Sequence, residues 1–214
     1  MFHRILPVAF VAAIAGILAG ALVSCKTTRS LGAGPFSTVI VDAGHGGHNR
    51  GARAYRGQYE KDLTLDTANR LANILRKRGF RVIMTRSSDQ FVSLDRRVNI
   101  SNASRDSIFV SVHYNWVRYP SGRGTETFYY SERSRRLAAN VQAELARSYN
   151  TPNRGVKRRG FYVLRKNSRP AILVECGFIS NPSDNAFIQT ASGRQKIVEA
   201  IAQGIVNERQ GRQR

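Results

Sequence analysis

Cysteine is almost absent from this chain of 214 residues, with only Cys25 and Cys176 present. Cys176 lies in an apolar, strand-like run, where a free thiol behaves as a small buried hydrophobe, so no disulfide framework is expected. Acidic residues are scarce as well: 14 stand against 34 lysines and arginines, giving a formal net charge of +20. That imbalance implies an anionic partner. The basic residues are dispersed, as in Arg76-Lys77-Arg78, Arg133 to Arg136 and Lys157-Arg158-Arg159, and no RNA- or DNA-binding motif accompanies them. Specific nucleic-acid recognition is therefore excluded, and a solvated, electrostatically adhesive face is left. No internal repeat is visible, so the default is a single domain with 42% hydrophobic content to build its core. A monomer is expected, and a compact His-Glu-x-x-His metal motif is missing.

The first apolar stretch runs from Ile5 to Val23 behind Phe2-His3-Arg4 and ends at Leu22-Val23-Ser24-Cys25. It reads as an export signal with a lipoprotein box, in which cleavage before Cys25 leaves that cysteine to carry a lipid. The alternative is an uncleaved anchor, since about 19 apolar residues can just span a bilayer. Either way the rest of the chain works outside the cytoplasm, tethered to a membrane. Lys26 is compatible with outer-membrane sorting, and the choice between inner and outer membrane stays open. Loss of Arg4, the one charged residue before Cys25, leaves +19. Export narrows the anionic partners to phospholipid head groups, cell-wall polymer or stray nucleic acid. The expected organisation is a signal over 1–25, a tether over 26–37, one α/β domain over 38–207 and a basic tail over 208–214.

Within the domain, Val39-Ile40-Val41-Asp42 is a β-branched run that breaks into Ala43-Gly44-His45-Gly46-Gly47. This predicts a buried strand that delivers one imidazole to the lip of a sheet, with glycines letting another group come close. A hydrogen-bonded turn histidine is the plainer alternative. Glu60-Lys61-Asp62 opens a helical pattern that closes on Arg76-Lys77-Arg78 and Gly79, an acidic start and basic finish that suit the helix dipole. Strands are predicted over 79–85, 107–113, 126–130, 161–164 and 171–174, and helices over 94–104, 135–149 and 197–206. Strands alternating with helices argue for a mostly parallel, twisted sheet covered on both faces.

Residues that bind metal or move protons collect at the strand ends: Asp42 and His45 after the first strand, His113 on the third, Glu175 on the last. Glu60 begins near the same edge, where open α/β sheets bind ligands. Two histidines, one carboxylate and an open position form a common catalytic zinc shell, although separations of 15 and 53 residues between His45, Glu60 and His113 make the pattern weak by itself. Glu175 closes an apolar strand, which is costly unless the acid is paired or opens onto a cleft. Both a salt bridge and a general base beside a metal satisfy that condition.

Taken together, Val41-Asp42-Ala43-Gly44-His45-Gly46-Gly47, Glu60-Lys61-Asp62-Leu63, Thr85-Arg86-Ser87-Ser88-Asp89, Ser111-Val112-His113-Tyr114-Asn115 and Val174 to Asn181 resemble, in order, the zinc-dependent N-acetylmuramoyl-L-alanine amidases of the cell-wall hydrolase type. The resemblance covers about Thr38 to Asn207. It implies a single α/β domain with a mixed, mostly parallel six-stranded twisted sheet flanked by helices, and one zinc ion held by His45, Glu60 and His113. It also implies that Glu175 is the general base and that peptidoglycan is the substrate, cut between N-acetylmuramic acid and the L-alanine of the stem peptide. Arg97 and Asn102 are assigned structural roles. Ala43 stands where the family usually has proline and Tyr114 where it has a small residue, neither expected to touch a ligand, and His48 reads as exposed loop. Some members carry a helical insertion that plugs the site, whereas here only Trp116 to Gly124 separates His113 from the next strand, which implies an uninhibited form. An inert basic lipoprotein, a zinc peptidase and a carbohydrate deacetylase are the alternatives.

Overall fold

The computed structural model describes residues 1, 36–55, 57–119 and 121–211. The expected signal, Cys25 and nearly all of the tether lie outside the described residues. Six strands are laid down in chain order: β1 (Thr38–Ala43), β2 (Arg81–Met84), β3 (Ser107–Asn115), β4 (Thr125–Tyr129), β5 (Asn153–Arg158) and β6 (Ala171–Phe178). The helices are α1 (Glu60–Lys77), α2 (Leu94–Asn102), α3 (Arg135–Leu145), the single turn α4 (Tyr162–Arg165), α5 (Pro182–Ile188) and α6 (Ala191–Arg209). The sheet order is β2-β1-β3-β6-β4-β5. β2, β1, β3 and β6 are mutually parallel, and β4 meets β6 antiparallel while pairing parallel with β5, so the sheet is mixed as expected.

Alternation of side chains along each strand divides the core. Val39, Val41, Val110, Val112, Ile172, Val174 and Cys176 face a large cluster closed by α1, α3 and α6. Ile40, Phe109, Phe128 and Leu173 face a smaller cluster under α2 and α4, with Val98, Val163 and Leu164. Among the described residues no helix is long and apolar enough to cross a membrane.

Two secondary-structure expectations are corrected. The fifth strand is Asn153–Arg158 and not 161–164. It lies at the sheet edge with mostly polar residues, and among its side chains Val156 packs on the large core, so it lacks the apolar alternation that marks a half-buried strand. Phe161 to Leu164 instead leads into one helical turn that buries Val163 and Leu164, and a four-residue apolar run cannot distinguish the two cases. The closing helix, expected over 197–206, runs from Ala191 to Arg209 and takes in the first residues of the expected basic tail. Glu208 accepts from Arg136 Nε at 2.9 Å and Asn140 Nδ2 at 3.0 Å, and the Arg209 guanidinium lies 3.8 Å over the Phe80 ring. Helix α5 was unforeseen, although Asn181 caps it by accepting from the N–H groups of Ser183 and Asp184, and Pro182 opens its first turn.

Candidate metal centre

The turn after β1 is built to aim one imidazole. His45 adopts φ 61°, a left-handed conformation rare outside glycine, and Gly46 and Gly47 follow at 124° and 58°. Two buried arginines hold the turn. Arg97 donates to Asp42 Oδ1 at 2.5 Å, Ala43 O at 2.6 Å and His45 O at 2.6 Å. Arg86 donates to Ala43 O at 3.0 Å and Gly44 O at 2.7 Å. Gly44 is required on packing grounds, because a Cβ there would lie 2.3 Å from His113 Cε1.

Three side chains converge at this edge. Glu60, the first residue of α1 and 4% exposed, faces His45 Nε2 with Oε2 and His113 Nδ1 with Oε1, both at 3.0 Å. The N–H of Ala52 donates to Oε2 and that of Tyr114 to Oε1, each at 3.1 Å, so the carboxylate is fixed from two separate elements. The ligand atoms of His45, Glu60 and His113 all lie within 4.8 Å of one another. Burial opposes ionisation of Glu60, but the hydrogen bonds and charges of the two histidines outweigh it and hold its pKa well down. Burial likewise opposes the charged form of His45, and Glu60 more than offsets it, raising the pKa. Asn49 Oδ1 lies 2.9 Å from His45 Nδ1, a contact that keeps a proton on Nδ1 and the Nε2 lone pair turned inward. Two imidazole nitrogens facing one carboxylate need protons or a cation between them, and this donor set fits zinc.

Strand register places Glu175 beside this group. It pairs with His113 on β3 and with Glu126 on β4, so the three side chains line up across one face of the sheet. Glu175 Oε2 is buried with no hydrogen-bond partner. Burial first, and then the charges of Glu60 and Glu126, push its pKa well above the usual carboxylate range. Glu126 is instead neutralised by Lys157 and Arg154 and accepts from Asn115 Nδ2 at 2.6 Å. A cleft of about 420 Å³ is lined by His45, Glu60, His113 and Glu175 together.

The remaining expected residues separate clearly. Asp42 is not in the cluster: it is a fully paired buried carboxylate, accepting from Arg97, from Thr85 Oγ1 at 2.6 Å and from Ser111 Oγ at 2.6 Å. Arg97 and Asn102 act structurally, the latter joining α2 to Lys166 and Ser168. Tyr114 does touch Glu60, through its backbone N–H, while its hydroxyl bonds Thr67 at 2.6 Å on the opposite face. His48 is exposed, its ring 4.1 Å from that of Phe91. Sequence reasoning passed over Asn49, Arg86 and Glu126. Glu126 stands between Thr125 and Thr127 and so lacks the apolar run that marks Glu175.

Comparison with known proteins agrees with this geometry. Residues 39–207 match the family described as N-acetylmuramoyl-L-alanine amidase. The chain is 40% identical to YqiI of Bacillus subtilis over 172 residues, covering 78% of this chain and 82% of that protein. It is 37% identical to the N-acetylmuramoyl-L-alanine amidase LytC of Bacillus subtilis, covering 79% of this chain but 35% of LytC, so it spans about a third of that relative's length. The structure of the N-acetylmuramoyl-L-alanine amidase AmiC2 of Nostoc punctiforme superposes with a TM-score of 0.79 at 38% identity, covering 84% of this chain and 99% of that one.

Proposed function

The chain belongs to the N-acetylmuramoyl-L-alanine amidase family, and from that premise we propose that it hydrolyses the amide between N-acetylmuramic acid and the L-alanine of the peptidoglycan stem peptide. In this reading zinc is held by His45, Glu60 and His113, and Glu175 is the general base. One observation carries it: the convergent His-Glu-His group shares its cleft with a buried carboxylate oxygen that has no partner. Zinc supplies Lewis acidity when bound, lowering the pKa of a water and polarising a carbonyl. The chain's own residues position groups and move protons. Asn49 sets the His45 tautomer, and the Ala52 and Tyr114 N–H groups orient Glu60. Glu175 takes a proton from the attacking water and passes it to the departing alanine nitrogen.

The described part of 116–124 contains no helix, and the side chains of His45 and His113 stay 22% and 20% exposed. Both observations support an enzyme with no plug to remove, regulated by tethering and access. The Leu22-Val23-Ser24-Cys25 sequence supports a periplasm-facing lipoprotein anchored through Cys25, and the +19 charge supports adhesion to an anionic wall or membrane that weakens as salt rises. Mass spectrometry of purified cell wall incubated with the full chain, with and without a zinc chelator, tests the reaction. Free intact stem peptides that vanish with chelator are expected. Peptides cut internally would identify a peptidase and released acetate a deacetylase, and either would overturn the amidase reading.

A further inference from the structure

The cleft has a second wall for which the amide chemistry has no use. Beyond Met1, seven large hydrophobic side chains are exposed among the described residues, and four of them, Phe91, Leu94, Trp116 and Phe161, line this one cleft. Single exposed apolar residues are ordinary, whereas a cluster around a cavity marks a binding surface. The wall is continuous with the metal centre, because His45, Glu60 and His113 line the same cleft.

This wall is also preformed. The Trp116 N–H donates to Asn115 Oδ1 at 2.8 Å, Asn115 is tied to Glu126, and the Val117 N–H donates to Ser180 Oγ at 3.1 Å, so the backbone is pinned on both sides of the indole. Phe161 packs edge-on against the Phe128 ring at 5.1 Å. Fixing an aromatic before the ligand arrives lowers the ordering cost of binding.

We propose that this wall receives the glycan side of the substrate, with Trp116 and Phe161 against the C–H faces of N-acetylhexosamine rings. The inference rests on the amidase reading for the two halves of the substrate and then assigns one half to this wall. Charge decides which half. A glycan whose lactyl carboxyl is tied up in the scissile amide is neutral there and offers an apolar ring face edged by hydroxyl and acetamido groups. Asn49 on the same lining can meet those polar edges, whereas Asn115 and Tyr162 are already bonded to Glu126 and Asp95 and serve to hold the wall. A stem peptide begins with alanine and carries free carboxylates, which seek cations. The arginine of this lining, Arg97, is already committed to Asp42 and to the carbonyls of Val92, Ala43 and His45.

Trp116 is the chain's one tryptophan, so its emission reports the wall directly. The full chain is titrated with a peptide-free β-1,4-linked N-acetylglucosamine tetramer, followed by fluorescence and by calorimetry. A saturable blue shift is expected, with no shift from free stem peptide. Phe161→Ala should weaken the tetramer by about fivefold, within the range of one aromatic contact, and Trp116→Ala should weaken it by a similar factor in calorimetry. Absence of both shift and heat with the tetramer, a shift produced by the stem peptide instead, or one produced only by phosphatidylglycerol vesicles would each overturn the proposal. Tetramer binding without amide cleavage would sink the amidase reading alone, and cleavage without tetramer binding would sink this inference alone.

Discussion

The two faces of the sheet follow opposite plans although the same strands supply both. Among the described residues, one face gathers thirty buried hydrophobic residues beneath three long helices, whereas the other gathers eight beneath α2 and a single helical turn. Along β3, Val110 and Val112 point to the first face while Ser111 and His113 share the other with Phe109. Along β6, Val174 and Cys176 oppose Leu173 and Glu175. The thick face supplies apolar burial in excess, at roughly 25 cal/mol per Å² of surface removed from water. The thin face can therefore hold Asp42, Arg97, Glu126 and Glu175, groups that a small core could not tolerate alone. Chemistry and stability are divided between the two sides of one backbone.

The largest effects should come from the thin face and leave the fold intact. Glu175→Gln is expected to lower turnover of cell wall by about 10²- to 10⁴-fold, the usual worth of a general base, while metal analysis still finds zinc bound. His113→Ala should lose both zinc and turnover. In both variants circular dichroism should match the parent, because the thick face is untouched. Near-normal turnover in Glu175→Gln would place the base elsewhere.

Next in size is the buried pair under the turn. Asp42→Ala leaves the Arg97 guanidinium, 3% exposed, without its carboxylate, and should cost about 3–5 kcal/mol. A thick-face truncation such as Leu71→Ala should cost a comparable ~2–5 kcal/mol, yet only the Asp42 change should also cripple turnover, because Arg97 holds the His45 carbonyl. Urea melts paired with wall assays separate the two. The pH dependence has a definite sign. Burial would raise the Asp42 pKa, but Arg97 and the Ser111 and Thr85 hydroxyls outweigh it and the value falls below the ordinary 3.8. Its contribution is thus fully present above that pH and is lost as pH falls through the lower folded-state value. Asp42→Asn should flatten this acid limb, and an unchanged limb would mean that other carboxylates control it.

The sequence revealed the thick face and the residues that converge at the sheet edge more readily than the links between them. Runs such as Ile40-Val41 and Ile172-Leu173-Val174 announce strands by composition, and the helix pattern from Glu60 to Gly79 announces itself by period and by its charged ends. His45, Glu60, His113 and Glu175 stood out as polar residues where apolar patterns stop. What joins them depends on register, which sequence does not display. Nothing in a linear reading says that Glu126 lies opposite Glu175, that Asn49 meets His45 Nδ1, or that Tyr114 presents its N–H to Glu60. The edge strand Asn153–Arg158 stayed hidden for a related reason: it is stabilised by pairing with β4 and packs little of its own surface.

The finest test of the division uses two helix caps of similar size, one on each face. Ser93 caps α2 by accepting from the Arg96 N–H at 3.2 Å, and Thr190 caps α6 by accepting from the Gly193 N–H at 2.9 Å. Replacing either by alanine should cost about 1 kcal/mol, a fall of about 2–4 °C in Tm for a domain of this size. If the faces divide stability from chemistry, the two variants should melt alike and react differently. Helix α6 carries no cleft residue, so Thr190→Ala should keep kcat/KM at the parental value. Helix α2 begins at Leu94 on the cleft wall and carries Arg97 beneath the His45 turn, so fraying of its first turn displaces both, and Ser93→Ala should lower kcat/KM severalfold at temperatures well below Tm. Equal losses of activity in the two variants would show that stability alone governs the site and that the thin face has no independent hold on it.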